Sequence, residues 1–324
     1  MLINTILILF LNNNQLQLGI PSSQTFRDSE NLFKTFSAKP RSVNNHNRIK
    51  VVTHSVGSSI TAVDDAEKAL LSIEDAEELV VCVDEGHVKT TEGQRSIEAL
   101  TSVIYHPESL TSNKKGTRNT LSSKSCAASV KDDDQKEIIN NTIVAALKQG
   151  LTPNTHICDG ATNCWNVVEG LRSLSGGMTC ILDWFHIAMK MQNIALPEKE
   201  KSKFIRIKWH LWRGNTEATI TRLQQLMATV KSKKSVGKIE KFKNYIQNNV
   251  ARIVNYRERK KKRLIFTSNL AESTVESLTN QRCKGQKHMR WSREGLNPIL
   301  QLRAKIHTDD WDNKWRVIIL NSAL

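Results

Sequence analysis

Residues 156–186 read HICDGATNCWNVVEGLRSLSGGMTCILDWFH, and their pattern decides the fold. His156-Ile157-Cys158 is a short strand that stops at Asp159-Gly160, a turn pair. A helix is predicted over about 162–173, with Val167, Val168 and Leu171 on one face. Gly176-Gly177 turns the chain, and Thr179–Leu182 forms another strand, ending in Asp183-Trp184-Phe185-His186. Strand–helix–strand order implies a parallel pair joined by a right-handed crossover. In open α/β sheets the chemistry sits beyond the carboxyl ends of the strands.

Upstream, Leu79–Val83 is an apolar run, β-branched in its middle, that suits a buried strand ending at Asp84-Glu85-Gly86. A second strand covers Ile97–Tyr105 and is closed by Pro107. Asp84, Asp159 and Asp183 thus each stand at a strand end. Residues 109–132 are rich in Ser, Thr, Lys and Asn and are expected to be a loop. Helices are expected over 64–78 and, with Gly150 as C-cap, over 134–149. From 187 to about 263 the chain turns helical and basic, with Trp209 and Trp212 expected in its core. A helix start falls in 268–281, with Ser273 as its cap, and Ile299, Leu300, Leu302 and Ile306 keep helical spacing in the tail.

The charge is uneven. The 324 residues carry 47 Lys and Arg against 32 Asp and Glu, a net +15. Residues 187–324 alone hold 30 basic and 11 acidic side chains, so the first 186 residues are net acidic. One half can grip a polyanion, and the other carries surplus carboxylates. A nuclease-like enzyme needs both, since carboxylates hold divalent metals and Lys and Arg hold phosphates. None of the six cysteines forms a C-x-x-C pair, which argues against a zinc ribbon; Cys82, Cys158 and Cys180 read as small core residues. Residues 1–11 are apolar but too short to span a bilayer, and they lack the basic flank of a signal peptide. They suggest a mis-set start or foreign sequence joined to a truncated frame. Residues 12–62 show no sustained periodicity and are expected to be loosely ordered.

Two divalent metals about 3.5–4 Å apart can activate a water or a 3′-OH and stabilise the leaving oxygen of a phosphodiester. Holding them takes carboxylates from separate elements. Four stretches, VVCVDEGHVKT, HICDGATNCWNVVEGL, LDWFHIAMKMQN and TVESLTNQRCKGQKHMRWSREGLNPILQLRA, occur in that order, and together they resemble a DDE transposase of the ISKra insertion-sequence family, a relative of the Mutator-like transposases. The resemblance covers roughly 79–306, and the block around Met289-Arg290-Trp291-Ser292 is its most specific piece.

The resemblance implies an α/β fold: a ribonuclease-H-like mixed sheet flanked by helices, with an all-α insertion before the last catalytic glutamate. It divides the chain into a poorly ordered segment (1–76), the first part of the catalytic core (77–186), a basic helical insertion (187–267) and the end of the core with a C-terminal helix (268–324). It implies Asp84, Asp159 and Glu276 as catalytic metal ligands for Mg²⁺ or Mn²⁺ in a two-metal site, with His186 catalytic and Asp183 supporting it. Glu85 rivals Asp84, and Glu272 rivals Glu276. The implied activity is binding of insertion-sequence ends, phosphodiester hydrolysis and strand transfer on double-stranded DNA. The protein would act as a homo-oligomer, nucleoid-associated in a bacterial cytoplasm, with no membrane partner. DNA contacts are expected from Arg257, Arg259, Lys260, Lys261, Lys262, Arg263, Arg282, Lys284, Arg290 and Trp291.

Plainer readings stand beside these. Asp159 can start a turn or cap a helix. Ser273-Thr274-Val275-Glu276 fits a capping box. Asp183 and His186 can pair as a structural hydrogen bond, Arg257–Arg263 can be a solvated helix end, and Trp291 can pack in the core. The DNA-binding region expected upstream of the core is largely missing, which raises a truncated, inactive DNA-binding remnant as an alternative. Another ribonuclease-H-like nuclease, such as a junction resolvase, is a third reading, and the long helical stretch before Glu276 argues against it.

Overall fold

The computed structural model describes residues 18–36, 45–62, 79–112, 119–130, 154–170, 178–284 and 289–308. The helices expected over 64–78 and 134–149 lie outside them, as does the apolar stretch 1–11.

The centre is a five-stranded mixed sheet in the order β5-β2-β1-β6-β7. Its strands are β1 (Leu79–Lys89), β2 (Ser96–Tyr105), β5 (Ser125–Ser129), β6 (Asn154–Cys158) and β7 (Met178–Leu182), while the short β3 (Leu110–Ser112) and β4 (Asn119–Leu121) pair apart from it. β1, β2 and β5 form an antiparallel meander, and β6 and β7 add to β1 in parallel. The β6–β7 crossover carries α3 (Thr162–Gly170), as the pattern in 156–186 predicts.

β1 runs six residues beyond the expected end. Its parallel pairing stops at Val83↔Cys158, but its antiparallel pairing with β2 continues to Lys89↔Ser96. Asp84 is therefore the first residue past the parallel ladder rather than the end of a strand. β5 lies inside the stretch expected to be a loop. Its sequence, SCAAS, has no alternation because all five positions are buried.

Helices cover the sheet. Asn163 of α3 hydrogen-bonds Glu98 of β2 on one face. On the other, Gly86 of β1 lies against Thr279 and Lys284 of a helix, α9, that runs through residues 269–283. α9 is α-helical over Asn269–Val275, makes a π turn over Glu276–Asn280, and resumes at Gln281–Cys283. Between α4 (Trp184–Gln192) and α9 come α5 (Glu198–Trp212), α6 (Thr216–Thr229), α7 (Lys233–Asn248) and the short α8 (Tyr256–Lys261). Phe204, Leu211, Leu223, Ile239, Phe242 and Ile246 bury their apolar faces in the core shared with the sheet. Trp212 packs on Trp184, ring centres 4.6 Å apart. Trp209, expected beside it in the core, is 48% exposed.

The N-terminal stretch is more ordered than expected. α1 (Phe26–Phe36) and α2 (His46–Ala62) form, and α2 packs along α10 (Arg293–His307). A Cβ on Gly57 of α2 would stand 2.1 Å from the carbonyl oxygen of Pro298, so only glycine permits this approach. Arg282 and Arg303 are both fully buried. The Arg282 guanidinium donates to the Pro21 carbonyl at 3.0 Å and stacks 4.9 Å from the Trp291 ring. Arg303 donates to the carbonyls of Leu278, Ser277 and Ser22. These bonds tie residues 18–36 to the C-terminal helices. They also remove Arg282 and Trp291 from the expected DNA contacts, because buried groups already spent on carbonyls and stacking cannot reach a phosphate or a base.

Candidate metal centre

The parallel ladder sets the site. β1 and β6 end their pairing side by side, so Asp84 and Asp159 leave the sheet from neighbouring positions. Next to them β7 ends at Asp183, whose amide donates to the Cys158 carbonyl at 2.9 Å.

Asp183 is 1% exposed and its carboxylate is fully engaged. Oδ1 accepts from the amides of Phe185 at 2.9 Å, as N-cap of α4, and of Ser268 at 3.0 Å. Oδ2 accepts from His186 Nδ1 at 2.7 Å and from the Ser268 hydroxyl. Burial works against its charge, but the bonds from His186, Ser268 and Phe185 keep it below the usual carboxylate range. Asp183 has no lone pair to spare. It fixes the His186 ring, with Nδ1 as the donor, and turns Nε2 toward Asp84 Oδ1, 4.0 Å away.

Among the described residues, one ligand atom each from Asp84, His186 and Glu272 lie within 4.8 Å of one another. Burial, and then Glu272 and Asp159 against the partial relief of His186, push the Asp84 carboxyl up to about 7. Glu272 is raised by burial and by Asp183, Glu276 and Asp159, with His186 opposing. Burial opposes the charge of His186, but Asp183, Asp84 and Asp159 lift it to about 9. Negative charge is thus packed together faster than one imidazolium can offset it, and a divalent cation would relieve it.

Glu272, and not Glu276, reaches Asp84. α9 begins after Ser268, five residues before the expected cap Ser273, and this sets the phase. Glu272 faces inward from the first turn, while Glu276, at the start of the π turn, is exposed. Asp159 sits beside the set. Its Oδ1 accepts from the Ala161 amide at 2.8 Å, the turn role that the sequence also allowed. Gly160 follows with φ +98°, and a Cβ there would lie 2.6 Å from the Tyr245 ring. Tyr245 and Tyr256, from α7 and α8, donate to the carbonyls of Asp159 at 2.7 Å and Leu182 at 2.8 Å. The helical stretch thereby clasps both strand ends, and no sequence motif announced these two tyrosines.

Glu85 points to the opposite face from Asp84, toward Glu98 and Asn163. Burial and the neighbouring Glu98, Asp159 and Asp84 push it up to about 7. Lys284 is half-buried, with Nζ 3.4 Å from where a Gly86 Cβ would stand; burial lowers it, while Asp84 and Glu272 act the other way. Among the other expected DNA contacts, Arg257, Lys260, Lys261, Lys262, Arg263 and Arg290 are exposed. Lys261 pairs with Glu258 at 3.3 Å, and Arg259 donates to the Ile265 carbonyl at 2.9 Å, closing the turn after α8.

The fold and site together define an α/β protein with a carboxylate–histidine centre at the carboxyl ends of parallel strands. The family model of the uncharacterised protein family UPF0236 matches residues 23–316, and the chain belongs to that family. No curated protein matches it. Among the described residues no helix is long and apolar enough to cross a membrane.

Proposed function

We propose that the chain is a DDE-type transposase that binds the ends of its own element and cleaves and joins DNA with divalent metal. The observation that carries this reading is the convergence of Asp84, His186 and Glu272 at one strand end, with Asp159 beside them. The sheet supports the finer reading of a ribonuclease-H-like core. Numbering only its five strands in chain order, the order is 3-2-1-4-5, with the second strand antiparallel to its neighbours.

The donor set fits a hard or borderline divalent ion: carboxylate oxygens from Asp84 and Glu272, and an imidazole nitrogen that favours Mn²⁺ over Mg²⁺. Asp159 is placed to add a carboxylate for a second ion. Bound there, such ions supply Lewis-acid stabilisation of both the attacking and the leaving oxygen. Asp183 holds the ring of His186 so that Nε2 keeps its direction. Lys284 brings a cation to the rim of the centre, where a scissile phosphate would lie. The exposed cations of α8 and the turn after it offer contacts to the backbone of the same DNA.

The test is a nicking assay on DNA carrying candidate element ends, with and without Mg²⁺ or Mn²⁺. Wild type should nick only with metal, and Asp84→Ala, Asp159→Ala and Glu272→Ala should each abolish nicking. Salt-sensitive DNA binding without cleavage under any metal would sink the enzymatic reading and leave a DNA-binding remnant.

A further inference from the structure

The β1–β2 hairpin extends past the carboxylate centre, and at its far end lies a second feature. A cavity of about 630 Å³ is lined by His87, Lys89, Gln94, Arg95, Ser96 and Arg290. Lys89 and Ser96 are register partners in the hairpin, and Arg95 stands in its turn. Arg290 comes from the other end of the chain. It is set in place by its neighbour Trp291, whose amide donates to the Lys89 carbonyl at 3.0 Å and whose carbonyl accepts from the Thr91 amide at 3.0 Å. The Thr90 hydroxyl donates to that same carbonyl at 2.8 Å. The wall is therefore built, although its cations come from distant parts of the sequence.

Its electrostatics are one-sided. Lys89, Arg95 and Arg290 are exposed, and none is ion-paired among the described residues. The nearest hairpin carboxylate, Glu92, is already bound by Arg293. Glu98, the register partner of His87, accepts from Asn163 at 2.7 Å on the sheet face. Three permanent cations with polar neighbours and no acidic counterpart suit a phosphate group.

We propose that this cavity holds a backbone phosphate of the DNA strand that runs from the carboxylate centre. The proposal takes the identity of the polyanion from the function proposed above, while the anion site itself stands on the cavity. His87 and Lys89 lie three and five residues beyond Asp84 on β1, or about 10 and 17 Å at ~3.3 Å per residue. One strand of a duplex advances ~3.4 Å per phosphate along its axis, so the cavity lies roughly three to five nucleotides from the scissile position. A strand fixed there and at Lys284 has its register on Asp84 defined without base contacts.

The test is fluorescence anisotropy of a labelled duplex in EDTA across a salt series. It compares wild type with Lys89→Ala/Arg95→Ala/Arg290→Ala and with the single reversal Arg95→Glu in the exposed turn. The triple variant should weaken binding about tenfold or more, and the slope of log K against log salt should flatten by roughly 2–3, at ~0.9 per phosphate contact. Arg95→Glu should weaken binding severalfold, while Mn²⁺ binding at the Asp84 centre stays unchanged in both variants. An unchanged slope and affinity in the triple variant overturn the proposal, even where wild type nicks DNA normally. A flattened slope in a protein that never nicks keeps the cavity and removes the transposase activity. Failure of wild type to bind DNA at low salt overturns both. Displacement of DNA by low-millimolar inorganic phosphate, beyond its ionic strength, would assign the cavity to a free phosphate compound and overturn the strand assignment.

Discussion

Two groups of buried charge sit on α9 and its neighbours, and they are treated in opposite ways. Arg282 and Arg303 are out of water, and their guanidinium groups are met mainly by backbone carbonyls. Asp84 and Glu272 are partly out of water as well, but they face each other and Asp159, with one imidazole between them. The arginines are balanced by the fold and act as fasteners. The carboxylates are left in surplus, and a fold keeps such a surplus where something else completes it. Basic and acidic counts do not reveal this difference; the partners do.

The largest effect expected from breaking this contrast is on the balanced side. Arg303→Leu leaves three carbonyls without their donor and should cost about 3–5 kcal/mol of stability, seen as a lower urea midpoint. On the same seam, Gly57→Ala forces a methyl into the Pro298 carbonyl and should cost ~1–3 kcal/mol by the same measurement.

The surplus side predicts a dependence on pH. Asp84 and Glu85 are held as acids up to about 7, well above their ordinary values of 3.8 and 4.5. The folded state therefore binds more protons than the unfolded chain between about pH 4 and 7, and in EDTA stability should fall as pH rises through that window. Asp84→Asn should make the fall shallower. A metal-free stability that rises over the same range would refute the surplus.

The next effect sharpens the phase of α9. Glu272→Gln should weaken Mn²⁺ binding by about tenfold or more, and Glu276→Gln by less than about twofold, as read by calorimetry. Equal losses would restore Glu276 to the centre. The smallest effect belongs to the exposed cations: Lys261→Ala should change stability by no more than about 0.5 kcal/mol, since its pair with Glu258 is solvated.

The parallel half of the sheet was legible because His156–Cys158 and Leu79–Val83 are apolar runs closed by Asp-Gly or Asp-Glu-Gly, and both faces of those strands are covered. β5 was not, since five small residues buried on both sides leave neither alternation nor a large side chain to mark a strand. The N-terminal helices escaped notice for a related reason. α2 buries only Ile49, Thr53, Val56 and Ile60 among its described side chains, apart from the glycine that meets Pro298. Asp84, Asp159 and Asp183 could be placed from strand ends alone. Choosing between Glu272 and Glu276 needed the start of α9 at Ser268, whose hydroxyl and amide bind Asp183 across 85 residues of sequence. Arg282 and Trp291 looked like DNA contacts because the carbonyl that buries Arg282 lies 261 residues away.

That seam also imposes a timetable. Arg303 closes on the Ser22 carbonyl across 281 residues. At a synthesis rate of ~5–20 residues per second, Ser22 waits roughly 15–55 s for its partner to be made. Through that interval α1 and α2 have no α10 to lie against, and their apolar positions are open to chaperones and proteases. The last helix to be translated is the one that lets the first two settle, so the yield of folded protein should depend on how fast the ribosome finishes the chain.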